Sequence, residues 1–223
     1  MANEIEFINH STREVLFDQL ALEITPLILR TIDSNGFCNL LLSGGTTPGP
    51  LYRKISMSLK SMEQINWGLV DERFVEPESE FSNEKMIRTC LGKYAKIIGM
   101  IQNSSDRIVN RNEVEKSYNL FLKQTDISIL GMGPDGHYAS IFPGDIESEK
   151  IRKSKYAGII NTGSPNFPNE RITCSPEMIC KSNFIFLPLL GKEKLKILMN
   201  HTLNLPIHDV LVKRPDIKIY YAD

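Results

Sequence analysis

Asp135 stands two residues before His137 in the segment Gly131-Met132-Gly133-Pro134-Asp135-Gly136-His137. A carboxylate near an imidazole can fix its tautomer and stabilise its charged form, as a general base requires. Ser43-Gly44-Gly45-Thr46-Thr47-Pro48 offers different chemistry. Two glycines let the backbone approach an anion, and a following helix supplies unpaired N–H groups and a positive dipole end. That describes a phosphate cradle, although the same residues also make an ordinary capped turn from strand to helix. Asp71-Glu72-Arg73, with Ser82-Asn83 downstream, could hold a charged, polyhydroxylated substrate or form a solvated loop. Arg171 and Lys192 complete the candidates. A lysine near a helix amino end opposes the dipole, and a bound anion would reconcile the two.

Residues 131–136 also spell G-x-G-x-x-G after a strand, which is the dinucleotide fingerprint taken literally. The context argues against it. Pro134 is badly placed for the required helix, and the next strand, ending near Asn161, offers no acidic residue for a ribose. Neither a Walker A loop, a G-x-S-x-G elbow nor an H-E-x-x-H pair is present. His10, His201 and His208 do not stand at metal-ligand spacing. A mechanism without metal or cofactor is expected.

The elements that must position these residues alternate between apolar strands and amphipathic helices. Strands are expected at 37–42, 65–70, 94–100, 125–130, 156–160, 184–189 and 217–221. A helix opens at a capping box, Ser11-Thr12-Arg13-Glu14, with Leu16, Leu20, Ile24 and Ile28 on one face. Pro26 should kink or end it early. Further helices are expected after Thr47 as N-cap, over 82–91, 114–122 and 176–181, and from Gly191 onward. This alternation predicts an α/β fold with a mostly parallel sheet covered on both faces. Ligands of such sheets bind beyond the carboxyl ends of the strands, where the polar clusters lie.

Composition narrows the function. The 223 residues carry 26 Lys plus Arg against 27 Asp plus Glu, a net charge of −1. This near-balance gives no electrostatic footprint for nucleic acid or an anionic membrane. The longest apolar run, 184–190, is far short of the roughly 20 residues of a membrane span. The amino end, with Asn3, Glu4 and Glu6, does not resemble a signal peptide. Cys38, Cys90, Cys174 and Cys180 form no C-x-x-C pair, so reduced thiols and a cytoplasmic location are expected.

Taken in order, these motifs resemble the 6-phosphogluconolactonase family. Leu42-Ser43-Gly44-Gly45-Thr46-Thr47-Pro48 with Leu51-Tyr52 is similar to its phosphate loop. Trp67, Asp71-Glu72-Arg73-Phe74-Val75 and Ser82-Asn83 are similar to a second motif, and residues 130–144 to a third and most specific one. Arg171-Ile172-Thr173 and Gly191-Lys192 complete the set. Tyr138 stands where a threonine is usual, and Glu80-Phe81 where a histidine or aspartate often precedes Ser-Asn.

The resemblance implies one domain over 1–223. Its fold would be three-layer α/β/α, the NagB/RpiA/CoA transferase-like modified Rossmann fold. The implied activity is hydrolysis of 6-phospho-D-glucono-1,5-lactone to 6-phosphogluconate, in the oxidative pentose phosphate pathway. His137 would be the general base, oriented by Asp135. Asp71 would bind hydroxyls or position a basic neighbour, and Arg73 or backbone N–H groups would hold the oxyanion. Ser43, Gly44, Gly45, Thr46, Asn83, Arg171 and Lys192 would bind substrate, mainly its phosphate. No nucleic acid or membrane partner is implied, and the chain would be a monomer or small homo-oligomer. The alternatives are a deaminase or isomerase of the same fold, or a sugar-phosphate sensing domain. In the deaminase branch a glutamate follows the histidine by five residues and Asp-Glu-Tyr replaces Asp-Glu-Arg. Phe142 and Arg73 occupy those positions here.

Overall fold

The computed structural model describes residues 7–45 and 47–223, so the expectations for Thr46 and for the amino end at 1–6 lie outside the described residues. In chain order the elements are β1 (Phe7–Asn9), α1 (Arg13–Asn35), β2 (Cys38–Leu42), α2 (Gly49–Ser58), β3 (Ile65–Leu69), β4 (Asp71–Arg73), α3 (Asn83–Leu91) and β5 (Lys96–Ile98). Then come α4 (Arg107–Ser117), α5 (Asn119–Lys123), β6 (Ile127–Ile129), α6 (Ile146–Arg152), β7 (Ile159–Gly163), β8 (Glu170–Cys174) and α7 (Pro176–Cys180). The chain closes with β9 (Phe184–Leu190), α8 (Lys192–Met199), α9 (Pro206–Lys213) and β10 (Lys218–Ala222).

Among the described residues, seven strands form one sheet in the order β1-β10-β9-β6-β2-β3-β5, every pair parallel. All five residues of β2 are buried, as expected where helices cover both faces of a parallel sheet. From β2 the chain winds outward through β3 and β5, whereas β6, β9 and β10 extend the sheet the other way. The order therefore reverses between β2 and β6. A crevice opens at such a switch point, because the two connections leave in opposite directions.

Helix α1 runs through Pro26 to Asn35 instead of ending early. Leu16, Leu20, Ile24 and Ile28 are fully buried on its inner face. Pro26 and Leu22 lie on the exposed face, where water can satisfy the carbonyl that proline leaves unpaired. Its N-cap is Thr12, one residue later than the capping box predicts, with Oγ1 accepting from Val15 N–H at 3.2 Å. Pro48, not Thr47, occupies the cap position of α2. The expected helix over 114–122 is two helices, α4 and α5.

A second, antiparallel sheet, β4-β8-β7, is absent from the sequence expectations. The chain leaves the main sheet at Val70, whose carbonyl accepts from Cys174 N–H at 2.8 Å. It then pairs Asp71, Glu72 and Arg73 with Thr173, Ile172 and Arg171. Asp71-Glu72-Arg73 is thus a short strand that walls the crevice, not a loop. Among the described residues, no helix is long and apolar enough to cross a membrane.

Candidate active site

A cavity of about 230 Å³ occupies the switch point. Ser43, Gly44 and Gly45 reach it from the end of β2, and Leu130 to Gly133 from the end of β6. Asp71 and Arg73 enter from β4, Asn83 from the start of α3, and Lys194 from the first turn of α8. His137 and Ala139 close one side.

The turn carrying His137 is tight. Gly136 N–H donates to Gly133 O at 3.1 Å and Gly133 N–H to His137 O at 2.8 Å. The imidazole lies directly over Gly133, where a Cβ would stand 2.1 Å from the ring. Only glycine permits that approach. Asp135 Oδ1 sits 2.5 Å from His137 Nδ1 and also accepts the His137 backbone N–H at 3.2 Å. Burial raises the Asp135 pKa, but the hydrogen bond and charge of His137 outweigh it and hold the carboxyl below its ordinary value. An ionised carboxylate can only accept, so Nδ1 carries a proton and, in the neutral imidazole, Nε2 presents the lone pair. Phe142 packs on the imidazole with centroids 4.3 Å apart. From below, Ile207 N–H donates to Gly136 O at 3.1 Å and Leu205 fills the space over Gly136.

Asp71 is nearly buried, and its Oδ2 accepts from Ser140 Oγ at 2.6 Å. Ser140 is fixed in turn by Thr173 and Thr162 of the second sheet. Arg73 Nη1 donates to Phe81 O at 2.6 Å while the residue lines the cavity. Asn83 Nδ2 donates to Asp71 O at 3.0 Å, and its side chain fills the space a Cβ on Gly44 would need. Ser43 Oγ is buried without a protein partner, a polar atom left for a ligand or water.

Two expected phosphate ligands are placed elsewhere. Lys192 is exposed and pairs with Asp223 at 2.8 Å, directed away from the cavity. The cavity receives Lys194 instead, two residues on and thus about 200° around the helix. Lys194 is half-buried, and burial lowers its pKa, with no carboxylate pairing among the described residues to oppose it. The sequence signal for it was its place four residues before the buried Leu198. Arg171 is buried behind the wall, its Nη2 3.2 Å from Ser164 Oγ and its guanidinium 5.9 Å from the Phe142 ring. It does not line the cavity. Burial and then the Arg73 charge lower its pKa. Among the described residues no cluster of three His, Cys, Asp or Glu side chains is arranged to hold a metal ion.

These features define a class: a parallel α/β protein with a carboxylate-backed imidazole facing a cationic, glycine-walled crevice. The chain belongs to the glucosamine-6-phosphate isomerase/6-phosphogluconolactonase family, whose model matches residues 11–214. It is 33% identical over 187 residues to a 6-phosphogluconolactonase of Xylella fastidiosa, covering 79% of this chain and 76% of that one. A 6-phosphogluconolactonase of Thermotoga maritima is 29% identical over 187 residues, covering 82% and 83%. The crystal structure of a 6-phosphogluconolactonase from Shewanella baltica superimposes with a TM-score of 0.90 at 29% identity, covering 100% of both chains. A monomeric glucosamine-6-phosphate deaminase shares the fold, with a TM-score of 0.78 at 18% identity.

Proposed function

We propose that this chain hydrolyses 6-phospho-D-glucono-1,5-lactone to 6-phosphogluconate, with His137 as the general base. The observation that supports this best is the Asp135–His137 pair, 2.5 Å apart, at a cavity that Arg73 and Lys194 also line. Nε2 takes a proton from water as the water oxygen adds to the lactone carbonyl. The oxyanion that forms is held by Arg73 or by backbone N–H groups of the cavity wall. When it collapses, the bond from C1 to the ring oxygen breaks, and the imidazolium returns its proton to that oxygen. Asp71, held by Ser140, accepts hydrogen bonds from substrate hydroxyls.

The phosphate is assigned to Gly44, Gly45 and Lys194, with Ser43 and Asn83 beside them. Arg171 contributes positive potential from behind the wall and Lys192 plays no direct part. A phosphate gripped far from the reacting carbon orients the lactone for attack. The proposed setting is cytoplasmic, with no nucleic-acid partner.

A specific observation weighs against the deaminase alternative. Phe142 packs on the His137 ring at the position where the deaminase resemblance calls for a glutamate, and a phenyl ring relays no proton. The test is lactone hydrolysis by an Asp135→Asn variant, with the spontaneous rate subtracted. Asp135→Asn lowers kcat by roughly 10² or more, because the imidazole loses its fixed tautomer. An Asp135→Asn variant at wild-type rate refutes the assignment.

A further inference from the structure

We infer that Glu72 is a positioning residue for the lactone site: its carboxylate joins β4 to the start of α3 and so sets Asn83 between Gly44 and Asp71. The inference rests on the assignment of this cavity to the lactone.

Strand alternation turns Asp71 and Arg73 toward the cavity and Glu72 away from it. Glu72 is 1% exposed. Its Oε1 accepts from the N–H groups of Arg73 at 2.7 Å and Asn83 at 2.8 Å. Its Oε2 accepts from Ser82 Oγ at 3.1 Å and Glu84 N–H at 2.8 Å. Ser82 Oγ accepts from Lys85 N–H at 3.1 Å, so Glu72 and Ser82 together satisfy the first three N–H groups of α3.

Four donors converging on two oxygens suit a carboxylate and no other side-chain group. An amide would turn its NH₂ against N–H donors. Burial pushes the Glu72 carboxyl up to about 7; the N–H groups of Asn83, Glu84 and Arg73 oppose the rise and Asp71 adds to it. A buried carboxylate held against that desolvation penalty is a costly way to start a helix, because Ser82 already caps it. What the carboxylate adds is placement. It fixes the backbone of Asn83, whose Nδ2 holds Asp71 O at 3.0 Å. The Asn83 Oδ1 lies 1.9 Å from where a Gly44 Cβ would be. A continuous set of contacts thus runs from Glu72 to the glycine loop without Glu72 touching the cavity.

The test measures KM and kcat for Glu72→Gln, Asn83→Ala and the double variant, with urea melts to confirm folding. Asn83→Ala raises KM about tenfold, as loss of a substrate contact should. Glu72→Gln raises KM by about five- to tenfold and leaves kcat within about threefold, since Asp135 and His137 are untouched and the Arg73 guanidinium is held independently by Phe81 O. In the Asn83→Ala background Glu72→Gln adds less than about twofold, because both act through one side chain. Multiplying effects, or a fall in kcat at constant KM, overturn the inference. A normal KM in Asn83→Ala overturns the lactone-site assignment of this wall, and the inference with it. A raised KM there with a normal one in Glu72→Gln overturns the inference alone. Should Glu72→Gln yield no folded protein, Ser82→Ala removes one of the four donors. It should raise KM by about two- to fivefold, and an unchanged KM then overturns the inference.

Discussion

Lys194 and Lys192 stand two residues apart on α8, and substituting each by alanine should have very different consequences. Lys194 lines the cavity, is half-buried and, among the described residues, is paired with no carboxylate. A phosphate dianion there would supply the missing counter-charge and relieve a cation in the first turn of a helix. Lys194→Ala should therefore weaken 6-phosphogluconate binding by about 1.5–3 kcal/mol, the range for a hydrogen bond to a charged group. That is about a 10- to 150-fold rise in Kd. Lys192 is exposed and occupied by Asp223, so Lys192→Ala should change Kd by less than about twofold. Isothermal titration calorimetry with the product reads both. The pH dependence has a definite sign. Burial lowers the Lys194 pKa, so its charge is lost, as pH rises, sooner than that of an ordinary lysine. Wild-type affinity should fall on that alkaline side, and Lys194→Ala should remove that fall. Unphosphorylated gluconolactone is the control, because it has no phosphate to lose. If its hydrolysis suffers as much as that of the phosphorylated lactone, or if Lys192→Ala is the more damaging change, the phosphate assignment is wrong.

Two further outcomes follow from the packing. Ser140→Ala strips Asp71 Oδ2 of its hydroxyl donor inside a nearly closed wall. It should cost about 1–3 kcal/mol in urea unfolding and raise KM together; unchanged stability would mean that water replaces the hydroxyl. The thiols of the buried Cys38, Cys90 and Cys174 are pushed up chiefly by burial, as is that of the partly buried Cys180, to about 11. The native protein should thus resist a thiol reagent at pH 8 and yield all four cysteines only when unfolded. Rapid labelling of the native state would contradict that burial.

What could be read in advance was local. The Gly44-Gly45 turn and the Asp135-His137 spacing each lie within a few residues, and the apolar stripe of Leu16, Leu20, Ile24 and Ile28 within one helix, where steric and periodic rules apply directly. Pro26 misled because its local penalty, about 3 kcal/mol, is outweighed by the burial of that stripe on both sides of it. The second sheet was hidden for the opposite reason. Asp71-Glu72-Arg73 shows no apolar alternation, and its partner β8 lies about a hundred residues away. Lys192 looked like a phosphate ligand because a lysine at a helix start opposes the dipole, but that argument ignores which face it occupies. The brace that α9 gives the His137 turn, through Leu205 and Ile207 on Gly136, had no local signal.

The central claim is that His137 Nε2 activates the attacking water. Turnover of freshly prepared 6-phospho-D-glucono-1,5-lactone by His137→Ala, beside wild type and a spontaneous blank, tests it most directly. A positioned general base is worth about 10²–10⁴ in rate. The variant should lose that factor in kcat while KM and product affinity stay near wild type, because the phosphate is assigned to Gly44, Gly45 and Lys194 and not to the imidazole. A His137→Ala enzyme that turns over at the wild-type rate would contradict the account.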